Sequence, residues 1–293
     1  MNQILQLISL YCYVSEEYHS TTGAKCQRLS NNNQPEFADE ECVTVYLWGM
    51  MNGNCEMTAI YGYSKNHWLR DFPKLPSYKK FNKRINNLAE AIIMLTENLT
   101  KHPEITELKP IDLVDSCPIV LANSKRHKRG KVASELCTSG YCASKDMFYY
   151  GVKLHTIGRK RTGALPLLVD ACITSANTPD ITAFIEMPID KSERFFFGDK
   201  AYVSQPLADE LAKIGSLMVT PCKRKKGQGE LSPEQKAFST SVSKIRQPID
   251  AFFAWLDDKF SIEYASRVRS LNGLLVHVFG RLLLGMLLLI FNW

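Results

Sequence analysis

Two short stretches limit what this chain can become more than any other part. Residues 110–122 (PIDLVDSCPIVLA) and 194–202 (RFFFGDKAY) are β-prone apolar runs, each with an acidic residue inside it or at its end. A carboxylate in an apolar strand is expensive to bury, so it needs a partner, either a metal ion or a cationic side chain. Asp115 and Asp199 are therefore read as metal-binding carboxylates of a nucleic-acid phosphoryl-transfer site. Asp112 lies three residues before Asp115, on the opposite face of a regular strand, which leaves Asp115 as the candidate.

That chemistry asks for a third acid. Two-metal phosphoryl transfer uses Mg²⁺ or Mn²⁺ ions roughly 3.5–4 Å apart, held by carboxylates on rigid elements. The third candidate is Asp250, in IRQPIDAFFAWLDDKF. Ile249, Phe252, Phe253, Leu256 and Phe260 form one apolar helical face, and Asp250 borders it. Arg246, one turn earlier, can touch phosphate or pair with Asp250. Asp257 is the runner-up. The plainer alternative is that all of these are ordinary structural aspartates.

Around these acids the texture of the chain changes once. The first ~105 residues read as helical, with helices over 1–20, 42–51, 58–70 and 77–99 and a polar loop over 21–37. The 77–99 helix carries Lys79, Lys80, Lys83 and Arg84 opposite its apolar face. This is either a DNA-binding or dimerisation module or a helical cap with a solvated basic face. From 108, strand-like runs follow at 108–122, 147–156, 164–175, 194–198 and 216–221. Helical pieces over 180–186 and 205–214 separate the later strands, and a helix over 241–258 follows. Three sequential strands and then alternating helix and strand describe an α/β mixed sheet with flanking helices. The expected domains are a helical region over 1–106 and a catalytic domain over 107–293 that includes the C-terminal helices.

Charge favours a polyanion partner. The net charge is +6, with residues 1–58 at −5, 59–131 at +7 and the remainder at +4. The nine cysteines form no CxxC pair and read as reduced thiols, which points to the cytoplasm. Residues 271–293 are long enough to span a bilayer, but Arg281 lies at their centre. A buried C-terminal helix is expected, and no membrane partner.

In order and spacing, VDSCPI, YYGVKLH, SANTPD, GDKAY and an R-x3-acid-x2-F helix resemble the DDE transposases of bacterial insertion sequences. The stretch YSKNHWLRDFPKLPSYKKFNKRINNL is similar to the N-terminal region of one such group. The resemblance runs from about residue 40 to the end. It implies a ribonuclease H-like catalytic domain, cut-and-paste transposition with two Mg²⁺ (or Mn²⁺) ions, double-stranded DNA as partner, and a homodimer on DNA. Asp115, Asp199 and Asp250 match the three acids, the third being usually glutamate. Ser243 stands where related groups have tyrosine, and Asp257 where they have lysine. Lys153 and His155 match the strand beside the first aspartate. The expected DNA contacts are Lys153, Lys200, Tyr202, Arg246, Arg126, Arg129, Lys223 and Arg224, the last four from the basic runs 125–131 and 223–226. A DNA nuclease of the same fold, or a DNA-binding protein with a decayed site, are the alternatives.

Overall fold

The computed structural model describes residues 3–224, 227 and 229–293, apart from 27–35. Its packing separates two units, residues 1–99 with 256–293, and residues 100–255. In the first unit, α1 (Gln3–Glu17) runs into a π-helical turn (Tyr18–Thr22) and the short α2 (Gly23–Cys26). Then come α3 (Asp39–Met51), α4 (Met57–His67), α5 (Tyr78–Asn87) and α6 (Ala89–Leu99). Asp39, Glu40 and Glu41 occupy the first turn of α3, where the helix dipole favours negative charge. The Glu41 carboxylate also accepts the Ala38 N–H at 2.5 Å, which satisfies one of the donors a helix start leaves open. The single helix expected over 77–99 is two helices meeting at Leu88. Most of the loop expected over 21–37 lies outside the described residues.

The second unit opens with α7 (Pro103–Thr106) and is built on one six-stranded sheet. Its strands are β1 (Ile111–Ala122), β2 (Thr138–Cys142), β3 (Met147–Arg159), β4 (Leu167–Ser175), β5 (Phe195–Phe197) and β6 (Leu217–Val219). β3 pairs antiparallel with β1, β2 and β4, while β1 pairs parallel with β5 and β5 with β6. Parallel neighbours need crossovers, and α8 (Asp180–Glu186) and α9 (Gln205–Lys213) supply helix in them. One face of the sheet is covered by Phe184, Met187, Tyr202, Leu207 and Leu211, packed on Val114, Ile157 and Phe196. α10 (Pro233–Phe260) follows and seats closely on the sheet, since a Cβ at Gly158 would lie 3.0 Å from the Ile249 side chain.

This is the mixed sheet with flanking helices, preceded in the chain by a helical region, that the sequence predicts. Two details differ. β2 was not expected, because TSGYC has a central glycine and little apolar alternation; pairing with β3 makes it a strand. α10 also begins at Pro233 rather than near 241.

α11 (Leu271–Phe291) belongs to the first unit, where it packs on α6, α5 and α3. It is long and apolar enough to cross a membrane, yet most of it is buried. Arg281 within it donates to the carbonyls of Phe260, Cys55 and His277, and so is satisfied without water. The packing units thus place 256–293 with the N-terminal helices, whereas the functional division expected from sequence, 1–106 and 107–293, keeps them with the catalytic part.

Asp112 has no solvent exposure and is held by Arg159 at 2.6 Å and Arg194 at 3.2 Å. Removing one partner of a buried pair leaves charge uncompensated. Arg159→Leu is expected to cost about 3 kcal/mol in urea unfolding, and an unchanged midpoint would refute this account of Asp112.

Candidate active site

β1 presents its two acids to different surroundings. Pleating puts Asp112 and Ser116 on one face and Asp115 on the other, opposite Thr156 of β3. On that second face lies α10. Arg246 of α10 donates from one guanidinium nitrogen to Asp115 at 2.8 Å and to Asp250 at 3.1 Å. Its second nitrogen donates to Asp250 at 2.9 Å. Two carboxylates that are 135 positions apart in the chain (115 and 250) therefore share one cation.

The charge balance there is incomplete. Burial pushes the Asp115 carboxyl up to about 7; Arg246 opposes this, and the neighbouring Asp250 reinforces it. Arg246 is held above its ordinary value: burial works against its charge, but Asp115 and Asp250 outweigh burial. Asp199 follows β5. Its carboxylate accepts the Ala201 N–H at 2.7 Å, capping a single 3₁₀ turn (Lys200–Tyr202), and its charge reaches Arg246. The structure so brings Asp115 and Asp250 together at Arg246, with Asp199 close enough to be felt there.

Other expected residues fall elsewhere. Tyr202 is buried against Phe184 and Phe196, so its ring has no surface to offer DNA; this corrects the expected contact. Burial, and then Asp180, Asp115 and Asp199, push its hydroxyl pKa well up, so it stays protonated beneath the site. Lys153 lies on the face opposite Asp115, and its ammonium is bonded to Asp180 at 3.1 Å and to the Thr178 carbonyl at 3.0 Å. Its strand does run beside that of Asp115, as expected, but the ammonium turns to Asp180 on the other face. Asp257, the runner-up acid, accepts the Glu263 N–H. Lys200, Arg126, Arg129, Lys223 and Arg224 are all exposed, whereas Lys225 and Lys226 lie outside the described residues.

Asp180 was missed. One of its oxygens accepts from Ser116 at 2.8 Å and Lys153 at 3.1 Å and lies 3.5 Å from His155. Burial pulls His155 down to about 4, so the imidazole is neutral near pH 7 despite this neighbour. The signal was present: Lys153 and His155 alternate on one strand face, and Asp180 opens a helix directly after Pro179.

Residues 105–271 match the family model described as transposase DDE domain. The chain belongs to the transposase DDE-domain family. No curated protein and no solved structure matches it. The matched segment contains Asp115, Asp199, Asp250 and the whole mixed sheet, whose order β2-β3-β1-β5-β6, with β4 also paired to β3, is consistent with a ribonuclease H-like domain. Membership establishes a transposase-type function, with DNA as the partner it implies.

The family typically uses a divalent metal, and the donor set can be tested for one. Among the described residues, no three His, Cys, Asp or Glu side chains converge tightly enough to hold an ion as they stand. Asp115 and Asp250 nonetheless fit as two donors. They are hard oxygen ligands, adjacent to one another, and Arg246 alone leaves Asp115 short of positive charge.

The raised carboxyl gives a stability prediction. Asp115 titrates near 7 in the fold against an ordinary 3.8, so its contribution is complete below about pH 4 and lost as pH rises through 7. Asp115→Asn removes that loss. Its melting temperature should exceed that of the unaltered chain at pH 8, with the gap closing at pH 4; equal values at pH 8 would contradict the charge deficit.

Proposed function

We propose that this protein is a DNA transposase that cleaves the strand at element ends and joins the freed 3′-hydroxyl to target DNA. One observation carries the reading: Asp115 and Asp250, distant in sequence, meet at Arg246 beside Asp199 on a ribonuclease H-like sheet. Asp115, Asp199 and Asp250 would hold Mg²⁺ or Mn²⁺. Such ions, when bound, supply Lewis acidity toward the phosphodiester and lower the pKa of bound water.

The side chains have distinct tasks. Asp115 lies in a strand paired along most of its length, so its carboxylate is held rigidly. Asp250 is half exposed at the helix surface and closes the site from the solvent side. Arg246 keeps the two carboxylates together, and its guanidinium can transfer its hydrogen bonds to a phosphate when DNA enters. Exposed Lys200, Arg126, Arg129, Lys223 and Arg224 are proposed to hold DNA backbone. Each phosphate neutralised makes log K fall by roughly 0.9 per decade of salt. A dimer on DNA and a cytoplasmic location belong to the same proposal.

A second reading has its own support. Asp250 replaces the usual glutamate, and Arg246 stands between the acids. A decayed site that still binds DNA would look like this.

Strand cleavage on the element's terminal sequences separates the two. With Mg²⁺, the unaltered chain should cut and join, Asp115→Asn should lose at least about a hundredfold, and Asp250→Glu should cut as well or better. Binding without cleavage by the unaltered chain would favour the decayed reading. Independently, Mg²⁺ should raise the melting temperature of the unaltered chain but not of Asp115→Asn; an equal rise in both would remove Asp115 from the proposed ligand set.

A further inference from the structure

Away from the acids, the β2–β3 hairpin carries aromatic rings that the fold does not use. Tyr141 and Phe148 are directly paired across the two strands, and their rings lie 5.0 Å apart. Both are about half exposed, at 48% and 51%, in a part of the chain where Tyr149 and Tyr150 next to them are buried. An aromatic pair inside a hydrophobic cluster would need no further account, but this pair faces water.

The basic run 125–131 folds over the same hairpin. The Ser124 hydroxyl donates to the Phe148 carbonyl at 2.9 Å, and a 3₁₀ turn (His127–Arg129) follows. His127 then stacks on Phe148 at 5.3 Å with the planes only 22° apart, and its Nδ1 is 2.5 Å from the Ser139 hydroxyl. The Tyr141 hydroxyl donates to Asp146 at 2.6 Å, which fixes that ring too. The three rings are thus held in place by backbone and side-chain bonds rather than swinging freely. Around them Lys125, Arg126, Lys128 and Arg129 are exposed, and no ion pair among the described residues involves them. A cleft of about 470 Å³, lined by His127, Tyr141, Phe148 and Asn177 among others, opens beside the rings and extends to Lys153.

We propose that Tyr141, Phe148 and His127 form a stacking platform for an unpaired base of single-stranded DNA, with the 125–131 run holding the adjoining phosphates. Rigid, exposed rings bordered by unpaired cations are what a flexible polyanion with flat apolar bases recognises, since stacking accepts any base and the cations take the backbone. Duplex DNA offers its bases stacked and paired, so it gains nothing from the rings. The platform is far from the acids along β3: Thr156 lies opposite Asp115 and Phe148 is eight residues away, about 26 Å at strand spacing. It therefore meets a strand several nucleotides from the cleaved bond. This inference rests on the transposase reading above and adds to it a place for DNA that has lost its pairing.

The test uses the full chain and three probes of equal length: an oligothymidylate, the same backbone with abasic positions, and a duplex. Phe148→Ala should weaken oligothymidylate binding about tenfold to a hundredfold. Its affinity for the abasic strand and the duplex, and the salt dependence of binding, should stay as they were. Phe148→Tyr should bind like the unaltered chain, and Tyr141→Ala should repeat the loss. Replacing Lys125 and Arg126 by glutamine should instead lower the salt dependence on all three probes. Unchanged oligothymidylate binding by Phe148→Ala, or an equal loss on the abasic strand, would overturn the platform. Circular dichroism and melting temperature of Phe148→Tyr and Phe148→Ala keep a misfolded hairpin from being mistaken for either result. Because none of these probes needs cleavage, failure here leaves the Asp115 assay untouched, and failure of cleavage leaves this binding measurable.

Discussion

Two aspartates three residues apart in one strand receive opposite treatment, and the geometry of the candidate site follows from that contrast. Asp112 is fully enclosed and has two arginines. It behaves as a structural anion that ties β1 to β3 and to the start of β5. Asp115, on the other face, has a shared arginine and a second carboxylate beside it. A largely buried acid with less positive charge than it needs is a costly arrangement, of the kind that clusters at functional sites. The sheet makes the contrast possible, because pleating sends residues of odd separation to opposite sides.

The rest of the second unit holds this arrangement in register. Pairing with β3 along almost all of β1 leaves Asp115 no freedom to slip. The close seat of α10 at Gly158 fixes the height of Arg246 and Asp250 above the sheet. On the opposite face, Asp180 gathers Ser116, Lys153 and His155 from two strands onto the start of α8. That second polar cluster braces β1 from behind, next to the residue that faces the acids.

Much of this was legible in the sequence, for identifiable reasons. The apolar runs with isolated acids marked β1 and β5, and the helical spacing of Ile249, Phe252 and Phe253 marked α10 and the side on which Asp250 would lie. What escaped depended on partners distant in the chain. β2 has no pattern of its own and exists because β3 pairs with it. Lys153 looked like a free cation, since nothing local reveals that Asp180 folds back to meet it. Tyr202 looked like a surface residue after a catalytic acid, whereas Phe184 and Phe196 enclose it from elements that only the fold brings near. Long-range pairing is what a single sequence encodes least directly.

α11 has one more consequence. Its Arg281 and Tyr46 reach from opposite ends of the chain, 235 positions apart, and the Tyr46 hydroxyl also donates to the Val276 carbonyl. α11 is therefore interior material for helices that precede it in the sequence. A premature stop codon before residue 271 would not trim a tail but strip those early helices of their lining, so such alleles of the gene should yield aggregated or degraded product rather than a shortened, working protein.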